Sequence, residues 1–121
     1  MTDTDSGSEG PLAVTFYGPA PEIDVDAKIE LFDLLGRAHV VPILHLFASD
    51  PGPHRFTDVR DRLGVPPTTL TDRLGELTAA DFLTRRSHDE IPPRVEYTAT
   101  EQTTDLDPMF EYLCRWGARH W

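Results

Sequence analysis

HRFTDVRDRLGVPPTTLTDRLGEL, residues 54–77, is the stretch on which the reading of this chain turns. Phe56, Val59 and Leu63 fall on one side of a helical wheel, which predicts a short helix over Phe56–Leu63, begun by Thr57 or Asp58 and stopped by Gly64. Pro66 and Pro67 open a second helix, and Pro67 suits its first position, where a missing N–H costs nothing. In that helix Leu70, Leu74 and Leu77 recur at i, i+4 and i+7, a single inward stripe. Two short helices joined by the tight turn LGVPP form a helix-turn-helix.

Upstream, Asp24–Leu35 reads as an amphipathic helix capped by Asp24, with Ala27, Ile29, Leu31, Phe32, Leu34 and Leu35 as its apolar content. Gly36 ends it. Arg37–Ala48 follows as a helix apolar nearly all round, the pattern of a central buried helix, with Pro42 tolerated in its early turns. SDPGPH then marks a loop. Downstream, Phe82–Arg86 reads as a strand and SHDEIPP as a turn. Arg94–Ala99 is a second strand, with Val95, Tyr97 and Ala99 on one face. A β-hairpin after a helix-turn-helix is a wing. Thr100 can cap a last helix running to about His120. That helix is apolar on more than one side through Leu106, Met109, Phe110, Leu113, Trp116 and Trp121. Such a helix serves its own core with one face and a twin subunit with the other, so these six are the expected dimer interface.

The fold class expected is therefore α+β: a winged helix-turn-helix over residues 22–121, with a C-terminal dimerisation helix over about 100–121. Residues 1–21, rich in Gly, Ser, Pro and Asp, read as an acidic arm that Leu12, Val14, Phe16 and Tyr17 could dock.

The charge balance argues at first against a nucleic-acid partner. Eleven basic residues face 21 acidic ones, a net of −10, and DNA should repel such a chain. Lys28 is the only lysine, and the sequence pI is near 4.7. Abundant carboxylate with scarce lysine is the composition of proteins from halophilic archaea. In molar salt the Debye length falls to about 3 Å, so only near-contact charge matters. The imbalance is also local: residues 1–30 hold seven acids and one base, whereas residues 55–94 hold seven of each. A phosphate contact, if made, belongs in the second segment.

Other function classes find little support. No run of 18 apolar residues exists to span a membrane, and the polar, acidic start is not a signal sequence, which points to the cytoplasm. No phosphate-binding loop, dinucleotide fingerprint, HExxH or nucleophile elbow occurs, so neither an enzyme nor a cofactor is expected. One cysteine, Cys114, cannot staple a fold; in an apolar helix it reads as a small buried hydrophobe. The triplet His88-Asp89-Glu90 is too sparse to define a metal site, and none is expected.

With the tracts laid out in order, the chain resembles the HxlR-type regulators, a branch of the MarR/PadR-like winged-helix superfamily, from about Leu34 to Trp116. LLGRAHVVPIL is similar to the family's lead-in to its second helix, with Arg37 and His39 at its lysine and tryptophan positions. Arg55, Phe56, Leu70, Thr71, Arg73, Leu74 and Leu77 fit its helix-turn-helix pattern. PPRVEYTATEQ resembles its wing signature, and LDPMFEYLCRW its terminal helix. The resemblance implies a dimeric DNA-binding transcription factor. Two departures stand out. Thr103 replaces a glycine, and no cysteine lies near Val25, where the family's redox sensors carry one, which argues against a thiol switch of that kind.

In a helix-turn-helix the second helix enters the major groove, and its N-terminal residues meet base edges. With the leucines inward, Thr68, Asp72, Gly75 and Ala79 point outward, flanked by Thr69, Thr71, Arg73 and Glu76; small residues there let the helix approach closely. Arg73 can reach guanine or phosphate, or pair with Glu76 or Asp72 on a solvated face. Arg85, Arg86, His88 and Arg94 supply the wing, where arginine can enter a narrow minor groove or simply blunt a sheet edge. The expected DNA-binding set is thus Thr68, Thr69, Thr71, Asp72, Arg73, Arg85, Arg86, His88 and Arg94. The partner expected is a near-palindromic double-stranded operator, bound by a homodimer. Asp89 and Glu90 at the wing tip oppose phosphate unless cations intervene, which predicts a weak or inverted salt dependence. The rival reading is a winged-helix protein-interaction module that has given up DNA, and the acidic balance favours it.

Overall fold

A computed structural model describes residues 24–121; the arm expected over 1–21 lies outside them. A single 3-10 turn, Asp26–Lys28, leads into α1 (Ile29–Leu35). Then follow α2 (Val40–Ser49), β1 (His54–Arg55), α3 (Phe56–Leu63), α4 (Pro67–Ala79), β2 (Leu83–His88), β3 (Arg94–Ala99), α5 (Glu101–Thr104) and α6 (Asp107–His120). The strands form one antiparallel sheet in the order β1-β3-β2. This is the expected α+β winged helix-turn-helix.

α2 is the centre. Val40, Ile43, Leu44 and Phe47 are fully buried, and α3, β3, α5 and α6 all pack on it. It starts three residues later than expected, because His39 adopts a left-handed conformation (φ 70°) and breaks the helical path from Arg37. α1 buries none of its residues completely: Leu34 and Leu35 touch the core while Ile29, Leu31 and Phe32 stay exposed.

The helix-turn-helix follows its sequence closely. Val59 and Val65 are buried, and Leu70, Leu74 and Leu77 are fully inaccessible. Asp58, not Thr57, fixes the start of α3, by accepting the Arg55 backbone N–H at 2.9 Å. Gly64 turns the chain at φ 67°, a left-handed conformation that a side chain resists, and its N–H closes α3 on the Arg60 carbonyl at 2.8 Å.

Three further elements depart from expectation. Where SDPGPH predicts a loop there is a strand, β1, in which His54 pairs with Tyr97 and Arg55 with Glu96. Gly52 makes that approach possible, since a Cβ there would meet the Tyr97 carbonyl oxygen at 2.9 Å. His54 is buried against Phe47 and bonded to the Asp50 carbonyl at 2.9 Å. The Arg62 guanidinium, 3.3 Å from the Asp50 carboxylate, holds that carboxyl below its usual range, helped by His54.

β2 runs on through Ser87 and His88, because pairing with Val95 and Arg94 overrides their turn character. The terminal helix is two helices: α5 stops at Thr104, and α6 starts afresh with a proline in its first turn, Pro108 having no N–H to carry a helix through. Nor does the Thr100 hydroxyl cap α5; it donates to the Asp81 carbonyl at 2.6 Å. Gln102 and Thr103 likewise donate to the carbonyls of Ala80 and Phe82, at 3.0 and 2.5 Å. α5 thereby satisfies carbonyls left open beyond the end of α4. Thr103, the residue that departs from the family's glycine, is the fully buried member of this set.

Candidate nucleic-acid interface

Burying three leucines on one side of α4 fixes what lies on the other. Thr68, Thr71, Asp72, Gly75 and Ala79 are exposed, and Thr69 is half-buried at the edge. The Thr71 hydroxyl bonds back to the Pro67 carbonyl at 3.0 Å, which leaves its methyl and a lone pair available. At Gly75 nothing lies within 4 Å of where a Cβ would stand.

Arg73 does not belong to this outer row. Its Nε donates to the Ala38 carbonyl at 2.9 Å, and its Nη1 lies 3.2 Å from Glu76, so only 17% of the side chain is accessible. Glu76 also draws Arg37 to 3.8 Å. The arginine favoured for base contact instead ties α4 to the turn before α2. Of the two readings open for it, the geometry takes the ion pair.

Register sorts the wing. Residues directly opposite on neighbouring strands share a face. Leu83, Arg85, Tyr97 and Ala99 therefore share one face, on which Leu83, Tyr97 and Ala99 pack on the core and Arg85 stays exposed, whereas Arg86, His88, Arg94 and Glu96 share the other face with Arg55 of β1. His88 lies 2.7 Å from Glu96. Arg94 lies 3.1 Å from Glu90 and 3.5 Å from Glu96. These two expected DNA ligands are thus engaged within the hairpin, and Glu90 is no longer a bare charge at its tip. Arg85 and Arg86 are exposed and form no ion pair among the described residues; Arg85 reaches only the Ser87 hydroxyl, at 3.3 Å. Arg55 is exposed and free of ion pairs on the same terms. Sequence reading noted Arg55 as part of a motif without assigning it to a surface, because its place beside the wing depends on β1.

The six residues expected at a dimer contact separate in the same way. Phe110 is 2% exposed, stacked on His45 at 5.0 Å, and Leu106 and Met109 pack on the core. Phe110 belongs to the subunit's own interior, which corrects its assignment, while Leu106 and Met109 are half-buried against that core. Beyond Phe110, α6 leaves the core. Leu113, Trp116 and Trp121 are exposed, as is Tyr112, which the sequence reading passed over. Cys114 leaves with them: it is exposed, not the buried hydrophobe expected. Among the described residues, no three His, Cys, Asp or Glu side chains are grouped to hold a metal ion.

A trihelical core with an inaccessible leucine stripe behind α4, followed by a two-stranded wing, defines the winged helix-turn-helix class. The chain belongs to the HxlR-like helix-turn-helix family, whose model matches residues 34–121. The uncharacterized HTH-type transcriptional regulator BH0655 of Halalkalibacterium halodurans is 34% identical over 88 residues, 72% of this chain and 77% of that protein. The HTH-type transcriptional regulator YodB of Bacillus subtilis is 31% identical over 87 residues, 71% of this chain and 76% of that one. The reduced form of YodB superposes with a TM-score of 0.68 over 82% of this chain and 95% of its own. A MarR-family protein of Porphyromonas gingivalis shares the fold at a TM-score of 0.69 and 18% identity, covering 84% of this chain and 99% of its own. These relatives are regulators, not enzymes.

Proposed function

We propose that this chain is a homodimeric transcriptional regulator that binds a near-palindromic double-stranded operator through α4 and the wing, in the cytoplasm and in molar salt. Gly75 carries the reading. A glycine inside a helix costs about 1 kcal/mol against alanine. Here it is exposed, with open space around it, so nothing within the subunit calls for it. A partner surface that must come close to α4 does, and the floor of a major groove is such a surface. Thr68, Thr71 and Asp72 lie along the same outer side. Arg85, Arg86 and Arg55 are the cations left for phosphate or minor groove, while Arg73, His88 and Arg94 hold the frame.

The homodimer is supported by α6. Tyr112, Leu113 and Trp116 are 53%, 48% and 44% exposed on a helix that has run past its own core. Such a strip is stable in water when a second copy covers it. Two subunits would then address half-sites about one DNA turn apart. An oxidative-stress role draws support from YodB, solved in diamide-treated and quinone-bound forms, and from the redox regulator HypR, solved reduced and oxidised.

The net charge of −10 favours one other reading, a protein-interaction module without DNA. Selection of random duplexes by the purified protein in about 2 M KCl, followed by footprinting, separates the two. The regulator protects an inverted repeat with little loss of affinity as salt rises; the module selects nothing at any salt.

A further inference from the structure

α4 carries three charged side chains, Asp72, Arg73 and Glu76, and the fold occupies two of them. Arg73 and Glu76 are tied to each other at 3.2 Å, Arg73 also holds the Ala38 carbonyl, and Arg37 stands 3.8 Å from Glu76. Asp72 is exposed and has neither a hydrogen-bond nor an ion-pair partner among the described residues. The outer row of α4, Thr68, Asp72, Gly75 and Ala79, therefore bears one charge, and it is negative. That is the wrong sign for a phosphate contact. An aspartate side chain is also short, so it meets a partner only if the helix backbone comes close. Gly75, three residues on and with nothing within 4 Å of where its Cβ would stand, permits that approach.

On the DNA-binding reading above, the partner of an unanswered carboxylate in the major groove is a base that donates. A carboxylate only accepts. Two base groups donate there, the cytosine N4 amino group and the adenine N6 amino group. They are not equivalent. Adenine sets its N7 lone pair beside N6, where it opposes the second carboxylate oxygen; cytosine presents its amino group with no acceptor of its own on that edge. We propose that Asp72 reads a cytosine in each half-site of the operator, accepting a hydrogen bond from its N4 amino group. The paired guanine offers only acceptors and suits an arginine, and the outer row of α4 has none, so the pair is read from its cytosine side. Molar salt favours such a contact. With a Debye length of about 3 Å, flanking phosphates no longer repel Asp72 at a distance, while a bond made at contact remains.

The test is parallel selection of random duplexes by the wild type, Asp72→Asn and Asp72→Ala in about 2 M KCl, followed by affinity measurements on the winning sequences. Both substitutions fall on an exposed side chain without partners, so thermal melts should show the fold intact. The wild type is expected to select cytosine at one symmetric position in each half-site, and to lose about tenfold or more in affinity when that base is replaced. Asp72→Asn moves the preference at that position to adenine, whose N6 and N7 an amide meets as acceptor and donor, and leaves the rest of the motif as it was. Asp72→Ala levels the position. An unchanged motif in Asp72→Asn would overturn the proposal. So would tighter binding of the same motif by Asp72→Ala, since the acid would then merely repel DNA. A loss of affinity equal on every sequence would overturn it too, by making Asp72 the seat of a cation that bridges to phosphate. A motif indifferent to residue 72 overturns this inference alone; a wild type that selects no duplex overturns the regulator reading and this inference with it.

Discussion

α4 and α6 are helices of similar length, each with a glycine around which a Cβ would meet nothing within 4 Å, and they divide their residues in opposite ways. α4 gives its three leucines entirely to the core and shows the outside only small or polar side chains. α6 gives Phe110 wholly to the core and leaves Tyr112, Leu113 and Trp116 in the open, with Trp121 just beyond its end. Burial is what distinguishes a surface shaped for a polar, hydrated partner from one shaped for an apolar partner. The first can stand in water alone; the second leaves bulky apolar area to be covered. The contrast is the physical content of the claim that one helix meets DNA and the other a second copy.

Substitutions should break the two helices differently. Leu74→Ala opens a hole in a core without slack and should lower unfolding stability by about 2–5 kcal/mol, read by denaturant melts. Trp116→Ala should raise the dimer dissociation constant by about 30-fold or more. Sedimentation then shows monomers, and the melting temperature ceases to rise with protein concentration. Thr103→Gly, which installs the family's residue, should cost about 1 kcal/mol, because α5 gains a glycine and the Phe82 carbonyl loses one of its donors while keeping the Thr100 N–H at 3.1 Å. A cost near zero would mean that the family's glycine is accommodated without change in this core.

The smallest effect concerns acid. The Asp50 carboxyl titrates below its usual range because Arg62 and His54 face it. Its contribution is present above the ordinary carboxylate pKa and fades as pH falls through the depressed value. Asp50→Asn should therefore flatten the acid limb of a stability profile slightly; Asp50 is exposed, so the change is small.

How far the sequence could be read follows from the range of the interactions involved. α3 and the start of α4 were legible to the residue, because Gly64 and Pro67 are local signals and the leucine stripe is a local period. β1 was not: PGP announces a loop, and a two-residue strand exists only through its pairing with β3. The break between α5 and α6 did have a local sign, Pro108, but the apolar pattern that runs across it obscured the break. The site was harder. Arg73 finds its acceptor 35 positions away at Ala38. His88 meets Glu96 through the hairpin register, which SHDEIPP did not disclose as strand. Cys114 and Phe110 sit one helical turn apart, and no periodicity reveals where a helix outruns its core.

Gly75→Ala tests the central claim most directly, because fold and function should respond with opposite signs. The added methyl meets nothing within the subunit and replaces a poor helix former, so stability should rise by about 0.5–1 kcal/mol. The same methyl stands between α4 and the groove, so affinity for the selected operator, measured beside the wild type in one high-salt buffer, should fall. A protein that is more stable and binds more weakly is the predicted result. A protein that is more stable and binds its operator as tightly as before would contradict the account and remove α4 from the interface.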